Sequence, residues 1–195
     1  MLETPFCHGS TNSLHVKSDN LTMEIYKEID GQSAGKASMK KEIPSKIGYY
    51  LAGFADGEGS FNVSFRPRSD YKNQWKVSAC FNVSQKDKVI LALYKRWLGC
   101  GTLRDRKDGV WYYEVNNFTA IKECVIPFFR KFGFLSAKKK RDFAKFQQIV
   151  QLIDSNEHLT KEGIQKILKI RKDMNDGGKR KYSKQQIEES SETIR

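Results

Sequence analysis

The stretch that decides the fold is Leu51-Ala52-Gly53-Phe54-Ala55-Asp56-Gly57-Glu58-Gly59. Just upstream, Ile47, Tyr50, Leu51 and Phe54 follow at i, i+3, i+4 and i+7, the spacing of one apolar helical stripe. Ser45 is the expected N-cap of that helix. Its other faces are small: Gly48, Ala52, Gly53, Ala55 and Gly57. Glycine inside a helix costs about 0.5–1 kcal/mol relative to alanine, so such a helix makes sense where another backbone must approach closely. It is expected to end between Asp56 and Gly59.

Beyond Gly59 the period changes to two. In residues 60–68, Phe61, Val63 and Phe65 alternate with Asn62, Ser64, Arg66 and Arg68. In residues 74–84, Trp75, Val77, Ala79, Phe81 and Val83 alternate with Lys76, Ser78, Cys80, Asn82 and Ser84. A polar turn over 67–73 joins the two as an antiparallel hairpin. Residues 86–98 return to helical spacing and stop at Gly99. A second hairpin pairs 102–106 with 110–116 through Lys107-Asp108-Gly109. Helices are expected over 119–132, 136–154 and 160–174, broken by Gly177-Gly178, with a basic tail from Lys179. The order is α-ββ-α-ββ-α-α, an α+β fold. The domain reading is a flexible arm over 1–44, a core over 45–155 and a helical, basic extension over 156–195.

The chain has 195 residues and a formal net charge of +12. Residues 1–45 carry 5 Lys against 6 Asp and Glu, so the whole positive excess lies in the part expected to fold. A polyanionic partner follows, with nucleic acid foremost. No run approaches the roughly 18 apolar residues of a membrane span. The first 20 residues lack the charge and apolar pattern of a secretory signal, so no membrane association and no secretion are expected. The four cysteines, at 7, 80, 100 and 124, lack zinc spacing and disulfide density. Cys80 and Cys124 read as core or half-buried residues, and Cys7, His8 and His15 as part of the arm rather than a metal site.

Both hairpins place apolar residues on one face and flat hydrogen-bonding or cationic side chains on the other. A merely solvated face would mix Lys with Glu; here Arg66, Arg68, Lys76, Arg104 and Arg106 stand against Glu114. Arg, Asn and Gln read base edges in the major groove, which a β-ribbon can enter. Base contacts are therefore expected from Asn62, Ser64, Arg66, Arg68, Lys76, Ser78, Thr102, Arg104, Arg106, Tyr112 and Glu114. Phosphate contacts are expected from Lys139, Lys140, Lys179, Arg180 and Lys181.

The run 51–59 resembles the signature of the LAGLIDADG homing endonucleases, departing from it mainly at Ala55 and Gly57, with Glu58 as the final acid. The resemblance covers about 46–154. It implies the α-ββ-α-ββ-α fold, whose curved antiparallel sheet saddles the DNA major groove. The motif occurs once, which implies the single-motif branch and a homodimer packed through Ala52, Gly53, Asp56 and Gly57 on a pseudo-palindromic double-stranded DNA site. Asp56 is assigned a structural part, capping or orienting the partner helix.

The resemblance further implies metal-dependent phosphodiester hydrolysis. Glu58, with the Gly59 carbonyl, would hold Mg2+, which accepts one or two carboxylates plus phosphate oxygens and waters. Gln85 matches a catalytic Gln of the single-motif branch, and Lys138 a catalytic Lys, although Lys139 or Lys140 could take that part. The tail from Lys179 is similar to a backbone-contacting loop of some members. An intron-encoded nuclease in an organelle interior or the bacterial cytoplasm is the leading reading. A group I intron RNA maturase, with intron RNA as partner, and a non-cleaving DNA-binding regulator are the alternatives.

Overall fold

The computed structural model describes residues 42–70, 74–177 and 180–187. The arm reading, Cys7, His8 and His15, the hairpin turn at 71–73 and Lys179 lie outside the described residues.

The first helix, α1, spans Ser45–Glu58. Pro44, not Ser45, occupies its N-cap position, and no side chain caps it; Ser45 is already in the first turn. The face toward the core also differs from the expected stripe. Gly48, Leu51, Ala52 and Ala55 are buried, while Tyr50 is 57% exposed. Gly48 is small for a reason inside the chain: a Cβ there would lie 2.2 Å from the Phe132 ring. Gly53 and Gly57 face open space.

Strands β1 (Gly59–Pro67) and β2 (Trp75–Gln85) form the first hairpin. Helix α2 (Lys88–Leu98) follows, with Asp87 as its N-cap accepting from the Val89 amide. Strands β3 (Thr102–Asp105) and β4 (Trp111–Val115) form the second hairpin. The antiparallel sheet has the order β1-β2-β4-β3, so β1 and β3 are its edges.

Helix α3 starts at Phe118–Ala120, passes through a π segment at Ile121–Val125 and continues as Ile126–Phe132. Pro127 explains the interruption. A proline has no N–H to donate and its ring crowds the carbonyl four residues back, and a π turn absorbs the misfit. Helix α4 (Ala137–Asp154) and helix α5 (Lys161–Lys172) complete the described fold. Helix α5 stops earlier than expected, at Lys172; Asn175 and Asp176 just beyond take positive φ, which ends helical geometry, and the Arg180 guanidinium donates to the carbonyls of Arg171, Lys172 and Met174.

The core lies between the sheet and the helices and is rich in rings. Phe61 sits at its centre, with Phe81, Phe129, Phe134, Phe143 and Phe146 at centroid distances of 5.0–5.8 Å, in the tilted and edge-on arrangements that aromatic quadrupoles favour. The buried Tyr94 hydroxyl donates to the Leu51 carbonyl and ties α2 to α1. The C-terminal extension belongs to this packing. Ile164, Ile167, Leu168, Met174 and Ile187 are buried, and Asn175 Nδ2 donates to the Phe61 carbonyl at 2.9 Å. Cys80, Cys100 and Cys124 are half-buried. No helix among the described residues is long and apolar enough to cross a membrane.

Candidate active site and nucleic-acid interface

Register fixes which side chains share the outer face of the sheet. Asn62 pairs with Cys80, Ser64 with Ser78 and Arg66 with Lys76 across β1 and β2. Asn82 pairs with Glu114 and Ser84 with Tyr112 across β2 and β4. Thr102 pairs with Glu114 and Arg104 with Tyr112 across β3 and β4. Since strand side chains alternate between faces, these residues form one continuous polar surface opposite the helices. Arg68 lies just past the end of β1 and forks onto Asp70 at 2.6 and 2.7 Å. Arg106 also lies past its strand, with its guanidinium 5.8 Å from the Tyr112 ring centre. Arg104 is ion-paired with Glu114, and the Cys80 thiol donates to Glu114 at 3.4 Å. Burial first, then the Glu114 charge, push that thiol up to about 12.

At one end of the sheet, α1 delivers Asp56, Glu58 and Gly59. Asp56 accepts from the amides of Leu135 (3.1 Å) and Ser136 (2.9 Å) and from the Ser136 hydroxyl, whose bond is shorter still. Its carboxylate thus sits at the N-terminus of α4, where unpaired amides and the helix dipole favour an anion. Burial raises its pKa, but the Ser136 and Leu135 bonds outweigh that, leaving it below the ordinary carboxylate value. Asp56 therefore caps a helix of its own chain. Ser136 is the N-cap of α4, accepting from the Lys139 amide at 3.2 Å.

That cap sets the phase of Lys138-Lys139-Lys140. Lys139 turns inward, half-buried, and its ammonium donates to the Gly59 carbonyl. Burial lowers its pKa against the charges of Asp142, Asp56 and Glu58. Lys138 turns outward and pairs with Asp176, and Lys140 is exposed. Lys139 thus stands on the Gly59 carbonyl and within electrostatic reach of Glu58, where Lys138 was expected. A signal was present in the sequence. The buried positions Asp142, Phe143 and Phe146 extrapolate back by three, four and seven residues to 139, not 138.

Glu58 is exposed at the end of α1. Gln85 lies two residues beyond Val83, the register partner of Gly59, which brings it to the same end of the sheet; its side-chain carbonyl accepts from the Lys86 amide at 2.8 Å. Ala52 is only 2% exposed and packs within its own chain. Asp56 is partly exposed and tied to Ser136. The open apolar surface of α1 consists of Tyr49, Tyr50, Gly53 and Gly57, continued by Leu135, 92% exposed.

Metal-binding potential within one chain is limited. Among the described residues, no three His, Cys, Asp or Glu side chains gather around a point. What exists is a carboxylate, a carbonyl and a cation, Lys139, already seated on that carbonyl. Hard oxygen donors that hold a cation in this way suit Mg2+ or Ca2+ better than a softer metal.

In the tail, Lys181 is exposed with its ammonium 5.5 Å from the Tyr182 ring centre, and Tyr182 packs edge-on to Trp75 at 5.1 Å. Arg180 is spent on the end of α5. Arg171, which the sequence pattern did not single out, is buried beside it with its guanidinium 5.0 Å from the Phe65 ring centre.

Residues 51–150 match the model of the LAGLIDADG endonuclease family. The chain is 33% identical over 132 residues to the probable intron-encoded endonuclease 2 of Neurospora crassa, covering 66% of this chain and 29% of that protein. It spans 24–60% of the length of the first curated relatives it matches. Among solved structures, the homing endonuclease I-TnaI superposes with a TM-score of 0.66 at 31% identity, covering 79% of this chain and 99% of that one. I-SmaMI, bound to an uncleaved DNA target in the presence of calcium ions, superposes with a TM-score of 0.64 at 29% identity, covering 71% of this chain and 47% of that one.

Proposed function

The chain belongs to the LAGLIDADG endonuclease family, and from that premise we propose that it is an intron-encoded homing endonuclease. It hydrolyses phosphodiester bonds on both strands of a long, pseudo-palindromic DNA site, acting as a homodimer with Mg2+. The observation that carries this reading is the seating of Lys139 on the Gly59 carbonyl beside Glu58, at the end of a sheet whose outer face is cationic and rich in hydrogen-bonding side chains.

Phosphodiester hydrolysis needs a nucleophilic water, relief of charge on the phosphate and help for the leaving oxygen. Glu58 and the Gly59 carbonyl are the residues that would hold the divalent ion. When bound, that ion neutralises phosphate charge and makes a coordinated water more acidic. Lys139 adds a fixed positive charge where negative charge builds up in the transition state. Asp56 is a positioning residue: by capping α4 through Ser136 it sets the direction of Lys139. Gln85, at the same end of the sheet, orients water.

One chain brings one Glu58, so cleaving two strands takes two copies. Near-complete coverage of I-TnaI and about half coverage of I-SmaMI support one repeat of the fold within these residues. The surface that joins the copies includes Tyr50, Gly53, Gly57 and Leu135; Ala52, expected there from the motif, is buried within its own chain. The relatives' intron origin supports a site of action in an organelle interior or a bacterial cytoplasm.

The test is incubation of the chain with the intronless version of its host gene, with Mg2+ and with EDTA. Two-strand cleavage with Mg2+ alone is expected. Tight binding of that DNA without cleavage would move the function to a regulator, and binding of the intron RNA instead would move it to a maturase.

A further inference from the structure

Between α5, the segment 180–182 and the open edge of β1 lies a cleft of about 310 Å³. Its walls carry Arg171, Arg180 and Lys181, and among the described residues no acidic side chain lines it. Arg171 is 7% exposed, and its Nε has no hydrogen-bond partner. A buried guanidinium without an acid is expensive, since such groups are ordinarily paired. Here the cost is compounded: burial and the neighbouring charge of Arg180 pull the Arg171 pKa down to about 10. The Phe65 ring, 5.0 Å from the guanidinium, holds the group in place by a cation–π contact but accepts nothing from Nε. Arg180 is held by the carbonyls at the end of α5, so the two like charges are fixed side by side.

The cleft also opens onto the outer face of the sheet. Asn62 and Ser64 line it together with Val63 and Phe65, and the first two belong to the polar face while the last two belong to the core side. β1 is an edge strand, so an anion entering here lies beside the residues expected to contact bases, outboard of them.

We infer that this cleft is an anion site, anchored by Arg171, that seats one backbone phosphodiester of bound duplex DNA beyond the edge of β1. The inference rests on the DNA-binding reading above. It gives the duplex a fixed register against the sheet, because a rigid buried guanidinium admits a phosphate at one place only, whereas Lys181 can follow a moving one. An oxyanion in the cleft relieves the repulsion between Arg171 and Arg180.

The test compares the full chain with its Arg171→Met variant, which keeps volume and removes the charge, and with Arg171→Gln, also uncharged, as a second variant should the first fold poorly. Binding of a random-sequence duplex is measured across salt concentrations, and thermal melting with inorganic phosphate against chloride at equal ionic strength. Loss of one phosphate contact reduces the slope of log affinity against log salt by about 0.9 per chain. The expected result is that reduction, with a melting temperature equal to or above wild type and loss of the phosphate-specific stabilisation. A merely structural Arg171 would instead lower the melting temperature and leave the slope alone. An unchanged slope together with an unchanged phosphate response overturns the site while leaving DNA binding intact. If the wild-type chain binds no duplex, the DNA reading fails; the phosphate response, present in wild type and absent in the variants, then upholds an anion site for free phosphate only, and its absence from wild type removes the site altogether.

Discussion

The ammonium of Lys139 rests on the carbonyl of Gly59, joining the first turn of α4 to the point where α1 becomes β1. Everything proposed for the chemistry turns on that junction, because it puts a cation, a carbonyl and the Glu58 carboxylate at one place. Lys138, one residue earlier, is turned away and neutralised by Asp176.

Lys139→Met is therefore expected to cut cleavage by about 10²–10³-fold, the scale for removing one transition-state charge contact, with little change in DNA affinity. Lys138→Met should cleave at close to the wild-type rate. Single-turnover cleavage of a bound duplex measures both. The reverse ranking of the two variants would return the catalytic part to Lys138.

Glu58→Gln keeps the shape of the side chain but removes the charge that would hold the metal. Cleavage is expected to vanish while binding persists, and binding without metal should tighten slightly because a negative charge next to phosphate is gone. Cutting and binding measured side by side decide it. Normal two-strand cutting by the variant would defeat the metal-dependent reading.

Asp56→Asn acts differently. The amide can still accept from Ser136 and Leu135, but it loses the charge that suits a helix N-terminus. A loss of about 1–2 kcal/mol is expected, or roughly 2–8 °C in melting temperature for a chain of this size. Cleavage should fall in proportion to the disorder passed on to Lys139. The loss should shrink when Ser136 is also changed to Ala, since the two residues share one cap.

The α-ββ-α-ββ-α order and the two faces of each hairpin were legible because alternation and helical spacing are local signals. Asn62, Ser64, Lys76, Ser78, Thr102, Arg104, Tyr112 and Glu114 share the outer face, as parity alone dictates. Less legible were features that depend on what packs opposite. Gly48 is small because of Phe132, eighty-four residues away, whereas Gly53 is small toward open space; the sequence presents the two alike. The run Lys138-Lys139-Lys140 is chemically uniform, and only the phase of the Asp142, Phe143 and Phe146 face distinguishes its members. Arg171 looks like one of many solvated lysines and arginines on a late helix until Phe65 and Arg180 are placed around it.

That difference between glycines is itself testable. Gly48→Ala forces a methyl into the Phe132 ring and should destabilise the fold by about 1–3 kcal/mol through overpacking, without altering oligomeric state at low temperature. A Cβ at Gly53 meets nothing within 4 Å, so the folded monomer should survive Gly53→Leu, helped by the better helix propensity of leucine. Sedimentation is expected to show the wild type and Gly48→Ala as dimers and Gly53→Leu as a monomer. A dimeric Gly53→Leu protein would exclude α1 as the contact.

On the sheet face, Arg104 and Glu114 are bound to each other before any nucleic acid arrives, and Glu114 also accepts from Cys80. Removing Arg104 alone leaves a half-buried carboxylate facing phosphate and bases. Arg104→Ala should therefore cost more than one base contact: about 1–3 kcal/mol of discrimination at one base pair, plus a general loss of affinity from the exposed negative charge. Glu114→Ala frees Arg104 and should raise affinity for all sequences while blurring preference at the same base pair. The double variant should recover the general loss but not the discrimination. Lys181→Ala, whose side chain is exposed beside Tyr182, should weaken every sequence alike. A library randomised at each position of the recognised site, bound by the four variants, separates these effects. If Arg104→Ala and Lys181→Ala gave the same flat loss across the library, the division of the surface into base contacts and phosphate contacts would not hold.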